Sequence, residues 1–174
     1  MRLYNKISCE ITEHLFLLHE THHESDMEFK QITENKREYF PLLLLADEQE
    51  DMIDRYLDRG IMFVLEEEGS VIGVCVITDE GNGTAEIQNL AISPSYQGKG
   101  YGKAMIDHVI RFCSGNYKVL QVGTGDSPLT LPFYEHCGFT QYCRIRNYFP
   151  ENYDHPIYEA GKQLIDKVCL KKDL

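Results

Sequence analysis

No apolar run in this 174-residue chain is long enough to cross a bilayer. One of the longest, Phe40 to Ala46, has seven residues and contains Pro41, whereas a membrane-spanning helix needs about 20. The opening Met1-Arg2-Leu3-Tyr4-Asn5-Lys6 lacks the apolar core of a signal peptide. Basic residues are scarce, with 17 Lys and Arg against 28 Asp and Glu. The resulting net charge of −11 repels phosphate backbones, which speaks against sequence-independent nucleic-acid binding. The six cysteines (Cys9, Cys75, Cys113, Cys137, Cys143, Cys169) form no Cys-x-x-Cys pair and sit mostly in apolar segments, so no disulfide framework is expected. His19, His22 and His23 have metal-ligand spacing, but no paired Cys or His-Glu-x-x-His element joins them. They read as a solvated helix end, and no metal is expected. Repeats, low-complexity tracts and Pro/Ser/Gly-rich linkers are also missing. A composition 43% hydrophobic and 26% charged excludes wholesale disorder and a fibre. The expectation is a soluble cytoplasmic chain with no membrane association, built as one domain or a domain with an appendage.

What is present falls into two periodic regimes. Ile7, Ile11, Leu15 and Leu18 recur at helical spacing, predicting an amphipathic helix over about Asn5–Glu20. A polar break and a short strand over Met27–Thr33 follow, then the apolar and buried stretch Tyr39–Ala46. Asp47 is expected to cap a second helix with Met52, Ile53, Tyr56 and Leu57 inward and Gly60 at its end. The period then changes to that of strands. Ile61–Leu65 and Val71–Thr78 flank Glu-Glu-Glu-Gly-Ser, and Gly81-Asn82-Gly83 precedes a third strand, Thr84–Ser93, which makes an antiparallel meander. A helix after Gly102 carries Met105, Ile106, Val109, Ile110, Phe112 and Cys113 inward and stops at Gly115. A buried strand over Lys118–Val122, a short helix over Thr130–His136 ending at Gly138, the segment Phe139–Phe149 and a strand near Leu164–Leu170 complete the order. The fold class is α/β, an α+β mixed sheet with helices on both faces.

The stretch Gln97-Gly98-Lys99-Gly100-Tyr101-Gly102 joins a strand to a helix. Its alternate glycines leave backbone N–H groups open at a helix N-terminus, and Lys99 and Lys103 add positive charge, as an anion site requires. A P-loop would need Ser or Thr after Gly-Lys, and a dinucleotide fingerprint would need Gly-x-Gly-x-x-Gly; neither occurs. Taken alone, the turn reads equally as a phosphate cradle or as a tight bend that needs glycine.

Preceded by Asn89-Leu90-Ala91-Ile92-Ser93-Pro94, this turn resembles the acetyl-CoA signature of the GNAT superfamily of N-acetyltransferases. Phe133-Tyr134-Glu135-His136-Cys137-Gly138-Phe139, about thirty residues on, resembles that family's Leu-Tyr-x-x-x-Gly-Phe segment. The tail Asn152–Glu159 is similar to a bacterial small-molecule, aminoglycoside-type subgroup. The resemblance spans residues 27–174 as an acetyltransferase domain and leaves 1–26 as an unassigned helical extension. Pro132 departs from the pattern: either Thr130 caps a helix starting near Leu131, or the helix kinks.

The resemblance implies a GNAT-like fold and acetyl-CoA as cosubstrate. Its pyrophosphate would lie on the amides of Gln97, Gly98, Lys99, Gly100, Tyr101 and Gly102, beside Lys103. Its pantetheine arm would pair with Leu90, Ala91 and Ile92, where that strand splays from Lys118–Val122. An amide near Leu90 would face the oxyanion. Tyr134 would serve as the acid toward the departing thiolate. Glu86 would be the base toward the amine, directly or through water; equally, it reads as a strand glutamate facing solvent. His108 and His136 are weaker bases, and Cys137 reads as helix-end packing rather than a nucleophile. The acceptor pocket would be built by the first helices and Tyr148–Glu159. The acidic run Asp47, Glu48, Glu50, Asp51 and Asp54 beside it suggests a cationic or amine-bearing small molecule or peptide, although acidity also serves plain solubility. The alternatives are a non-catalytic acyl-CoA-binding regulatory module and, less well matched, a nucleotide-binding protein. Whether two chains pair as a homodimer is left open.

Overall fold

The structure, a computed structural model, describes residues 27–174. The helix expected over Asn5–Glu20, together with Cys9, His19, His22 and His23, lies outside the described residues. Strand β1 (Met27–Ile32) runs antiparallel to β2 (Ile61–Glu67), followed in a meander by β3 (Ser70–Gly81) and β4 (Thr84–Ile92). Both hairpin turns use positive φ, at Glu68 and Gly69 and again at Gly81, Asn82 and Gly83, as the Gly/Asn content of the second predicts. β5 (Val119–Gly125) pairs parallel with β4. β9 (Lys167–Asp173) lies antiparallel beyond it, and β6 (Thr140–Ile145) closes that edge. The seven-stranded mixed sheet has the order β1-β2-β3-β4-β5-β9-β6. A two-residue hairpin, β7 (Tyr158–Glu159) with β8 (Lys162–Gln163), stands apart from it.

Helices cover both faces, as expected. On one face, α1 (Phe40–Leu43) and α2 (Glu50–Leu57) bury Leu43, Ile53, Tyr56 and Leu57 against Met62, Val64, Val74 and Val76. On the other, α3 (Tyr101–Cys113) and α4 (Thr130–His136) bury Met105, Ile106, Val109 and Tyr134 against Cys75, Ile77, Ile87 and Leu120. β3 is thus sandwiched, with alternate residues feeding two cores, which is why Val71–Thr78 reads as one continuous apolar run. Each fully buried aliphatic side chain stabilises the fold by roughly 1.5–3 kcal/mol. The last short helix, α5 (Tyr148–Asn152), sits in the long connection before β7.

Three local expectations are corrected. Among Tyr39–Ala46 only Leu43 is buried, and Leu45 is 49% exposed, because a one-turn helix offers the sheet few side chains. Asp47 does not cap α2: Gln49 holds the N-cap position, and Asp47 turns instead to Tyr56 and Tyr153. Pro132 does not delay the helix. α4 starts at Thr130, so Pro132 falls in the first turn, whose amides lack intrahelical acceptors in any case. Ser127 Oγ accepts from the amides of Leu129 and Thr130, at 3.1 and 3.4 Å, taking the role considered for Thr130.

Candidate active site

β4 and β5 pair only over Thr84–Ile87 and Val119–Val122. Beyond that point β4 continues to Ile92 and β5 to Gly125 without pairing each other. The split opens a cleft of about 470 Å³, within the usual range for a small-molecule site. Leu90, Ala91, Ile92 and Gln97 line it together with Glu86 and Tyr134. A bulge shapes its floor: Ile87 pairs with Ile77 and Asn89 with Val76, leaving Gln88 as the extra residue. The bulge resets the alternation. Ile87 and Leu90 pack into the core under α3, while Asn89 reaches the α1–α2 side and donates to the Leu43 carbonyl and the Tyr56 hydroxyl, both at 3.0 Å.

At one end of the cleft lies the glycine turn. Gly98 and Gly100 have φ +73° and +92°, and a Cβ at either would meet no atom within 4 Å. Both therefore need glycine for the backbone and leave open space at the N-terminus of α3, a cradle that fits a phosphate group. Gly102 has a different reason: its Cβ would lie 3.3 Å from the Phe133 ring, so it permits the close packing of α3 on α4 that joins the two motifs. The side chains of the turn are largely occupied within the protein. Gln97 donates to the Ile92 carbonyl at 2.8 Å, Lys103 pairs with Asp107 at 2.6 Å, Lys99 lies over the Tyr96 ring, and Tyr101 donates to Glu67. What the turn leaves open is its backbone.

Tyr134 projects from α4 into the split, packed edge-on against Phe133 and Phe139. Burial raises its phenol far above the ordinary tyrosine range, so the hydroxyl keeps its hydrogen. Glu86 does not face open solvent. It is half-buried, accepts from Gln121 Nε2 at 2.8 Å and lies 3.4 Å from Lys167 Nζ. Two of the weaker candidates fall away. His108 stacks on Phe29 away from the cleft, and burial lowers its basicity. Burial likewise raises the Cys137 thiol, as a packing role requires.

At the opposite end, Asp47, Tyr56, Tyr148, Phe149, Tyr153 and Glu159 form the walls; of the elements expected to build the acceptor pocket, α2 and the Tyr148–Glu159 connection lie here, and the helix expected over Asn5–Glu20 is outside the described residues. The acidic run is divided. Asp47 and Glu48 line the cleft, whereas Asp51 accepts from Gln49 and Asp54 pairs with Arg37, both at 2.6 Å outside it.

The geometry is matched by known proteins. Residues 58–141 fit the family model described as the acetyltransferase (GNAT) domain. A Bacillus subtilis protein described as the uncharacterised N-acetyltransferase YvbK is 35% identical over 143 residues, 81% of this chain and 92% of that one. The chain belongs to the GNAT family of acetyltransferases. A GNAT acetyltransferase from Elizabethkingia anophelis with acetyl-CoA bound superimposes with a TM-score of 0.81 at 31% identity, over 85% of this chain and 98% of the other. A Bacillus subtilis acetyltransferase in complex with CoA gives 0.79 at 33% identity, over 85% and 99%. This GNAT chain is therefore an acetyl-CoA-dependent acetyltransferase, which favours the enzyme over the binding module.

Several residues of this GNAT cleft escaped the sequence reading. Lys167 reaches Glu86 by crossing β5 at Gly123, where any Cβ would overlap it, and Leu164 crosses at Gly125 in the same way. The Gly-Thr-Gly inside a strand was the available signal, since glycine there marks a close approach. The buried Asn89 carried no comparable mark.

Proposed function

We propose that this acetyltransferase transfers the acetyl group of acetyl-CoA to a primary amine of a small molecule or peptide, by direct attack within a ternary complex. The observation that carries this is the β4–β5 split, which has the phosphate cradle at one end, Tyr134 within and a tyrosine-walled pocket at the other. Acetyl-CoA supplies an activated acyl carbon and a sulfur leaving group.

The chain's own residues do the rest. The amides of Gln97 to Gly102 receive the pyrophosphate, and the unpaired edge at Leu90 to Ile92 receives the extended arm and orients the acyl carbonyl. The Tyr134 hydroxyl, held protonated, offers its hydrogen to the sulfur as negative charge develops there. Its strongly raised pKa suits a hydrogen bond more than a completed proton transfer. Glu86 takes the proton that an ammonium must lose before it can attack, directly or through a water molecule, with Lys167 and Gln121 fixing the carboxylate. No cysteine enters. The thiols at Cys75 and Cys113 are raised by burial, the latter to about 11.

A panel of amines incubated with acetyl-CoA, read by free-thiol release, tests this reading. Turnover with primary amines above background hydrolysis is expected. Thiol release by none of them, in a protein that still binds CoA, overturns it.

A further inference from the structure

Resting on the amine-transfer reading above, we propose that Asp47 anchors a subsite for a second alkylammonium group, so that the acceptors are diamines or other dibasic amines rather than monoamines. Asp47 stands in the connection between α1 and α2, at the wall of the cleft. Tyr153 donates to its Oδ1 at 3.0 Å and Tyr56 to its Oδ2 at 3.5 Å. The Tyr56 hydroxyl in turn accepts from Asn89 Nδ2, which leaves its own hydrogen for Asp47. The Asn89 amide can face only one way, because its nitrogen also donates to the Leu43 carbonyl, which can only accept. Asn89 is 3% exposed, and its Oδ1 has no partner among the described residues. A chain of side chains from β4, α2 and the segment after α5 thus holds one carboxylate in place.

Among the described residues, that carboxylate has no cation beside it. Burial is the largest influence on it and pushes its carboxyl above the usual range, and among the described residues no Lys, Arg or His pairs with it. Two of the three basic residues lining the cleft are engaged elsewhere: Arg59 on Glu80 at 2.9 Å, and Lys167 on Glu86 and the Tyr148 ring. Arg55, the third, is exposed and makes no ion pair with Asp47. Removing a carboxylate from water is costly unless a cation compensates, and phenols supply no charge. Beside Asp47 stand aromatic faces. Phe149 stacks on Tyr153 and meets Tyr148 edge-on, with centroids 5.5 Å apart in both pairs. A carboxylate next to aromatic faces is the chemistry that holds an alkylammonium. The nitrogen that attacks must be uncharged, at the split near Leu90 and Tyr134. The cation at Asp47 is therefore a different nitrogen of the same acceptor.

The test compares diamines, from 1,3-diaminopropane to 1,6-diaminohexane, with alkylamines of equal chain length. The readouts are kcat and KM from thiol release, plus calorimetric binding to the CoA-loaded protein. The wild type is expected to prefer a diamine by about tenfold or more in kcat/KM at one chain length at least. Asp47→Asn should bring that preference to within about twofold through a rise in the diamine KM, with CoA affinity kept, while the exposed control Asp58→Asn keeps the preference. Equal use of both amine classes by the wild type overturns the subsite. So does an Asp47→Asn variant that slows both classes alike, which would make Asp47 a proton acceptor or a structural residue. Where Asp47→Asn fails to fold, Tyr153→Phe, which keeps the carboxylate and removes one of its donors, must weaken the diamine preference; an unchanged preference overturns the subsite. If no amine releases thiol, the transfer reading fails, and binding alone decides this one. Diamine binding that Asp47→Asn or Tyr153→Phe weakens upholds the subsite, and its absence overturns it.

Discussion

The two ends of the cleft are built on opposite plans. At the end proposed for the cofactor, six consecutive residues, Gln97–Gly102, present their backbone, while the side chains of Gln97, Lys99 and Tyr101 are engaged with neighbouring groups. At the acceptor end the contacts are side chains from distant segments. Tyr153 meets Asp47 across 106 positions, His155 lies 3.4 Å from Glu48 across 107, and the Asp154 amide donates to Gln49 Oε1 across 105. A site made of backbone is tolerant of side chains but intolerant of any change in φ. A site made of converging side chains can be altered one group at a time with little effect on the fold. The first arrangement suits a cosubstrate shared by the family, and the second suits an acceptor that differs from one member to the next.

The largest expected effect lies between the ends. Tyr134→Phe keeps the ring and its packing and removes only the hydroxyl, so kcat should fall about 10²-fold or more while CoA affinity holds. Steady-state thiol release beside calorimetry separates the two, and a variant that retains most of its kcat would assign the acid to another group. Next comes Gly100→Val at the cofactor end. With φ at +92° a β-branched residue strains the turn, and its side chain enters the open cradle. CoA affinity should drop by about tenfold or more in a protein whose circular dichroism is unchanged. Undiminished binding would move the phosphate elsewhere.

Asp47→Asn carries the comparison to the acceptor end. Because burial raises the Asp47 carboxyl, the native state holds that proton more tightly than the unfolded chain does. The wild type therefore loses this contribution as pH rises from the ordinary aspartate range through the raised value. Relative to wild type, Asp47→Asn should gain thermal stability between pH 4 and pH 7, by a few degrees at most, at the expense of acceptor use. A Tm difference that is flat over this range would contradict it. The smallest effect concerns the rim. His155 is raised above its ordinary value by Asp154 first and Glu48 second. Its contribution is complete below the ordinary histidine pKa and fades as pH climbs through the raised one. His155→Gln should lower Tm slightly more at pH 6 than at pH 9, and the opposite order would exclude an ionic clasp between the two loops.

Near-neighbour signals in the chain carried the meander, the α3 face, the Gly138 stop and the glycine turn. Each depends on one residue's φ preference or on a short period, and the described structure shows all four. The split was implied by family resemblance and not by any residue's own chemistry, since unpaired strand edges have no composition. Asp47 shows where local reading stops. An aspartate three residues before a helical pattern looks like a cap, and only packing with a segment about a hundred residues later turned it toward Tyr153. The direction of Asn89 likewise waited on the bulge at Gln88, which redirects the rest of β4.

By itself, then, the sequence determined most of the elements, their order and the glycine turn, because dihedral preference and hydrophobic period act over a few residues; it did not determine α5 or the β7–β8 hairpin. Which carboxylates share the cleft, which are already paired, and which has no cation among the described residues were decided by tertiary structure. Those outcomes depend on distances between side chains that lie far apart along the chain until the two cores close on the sheet.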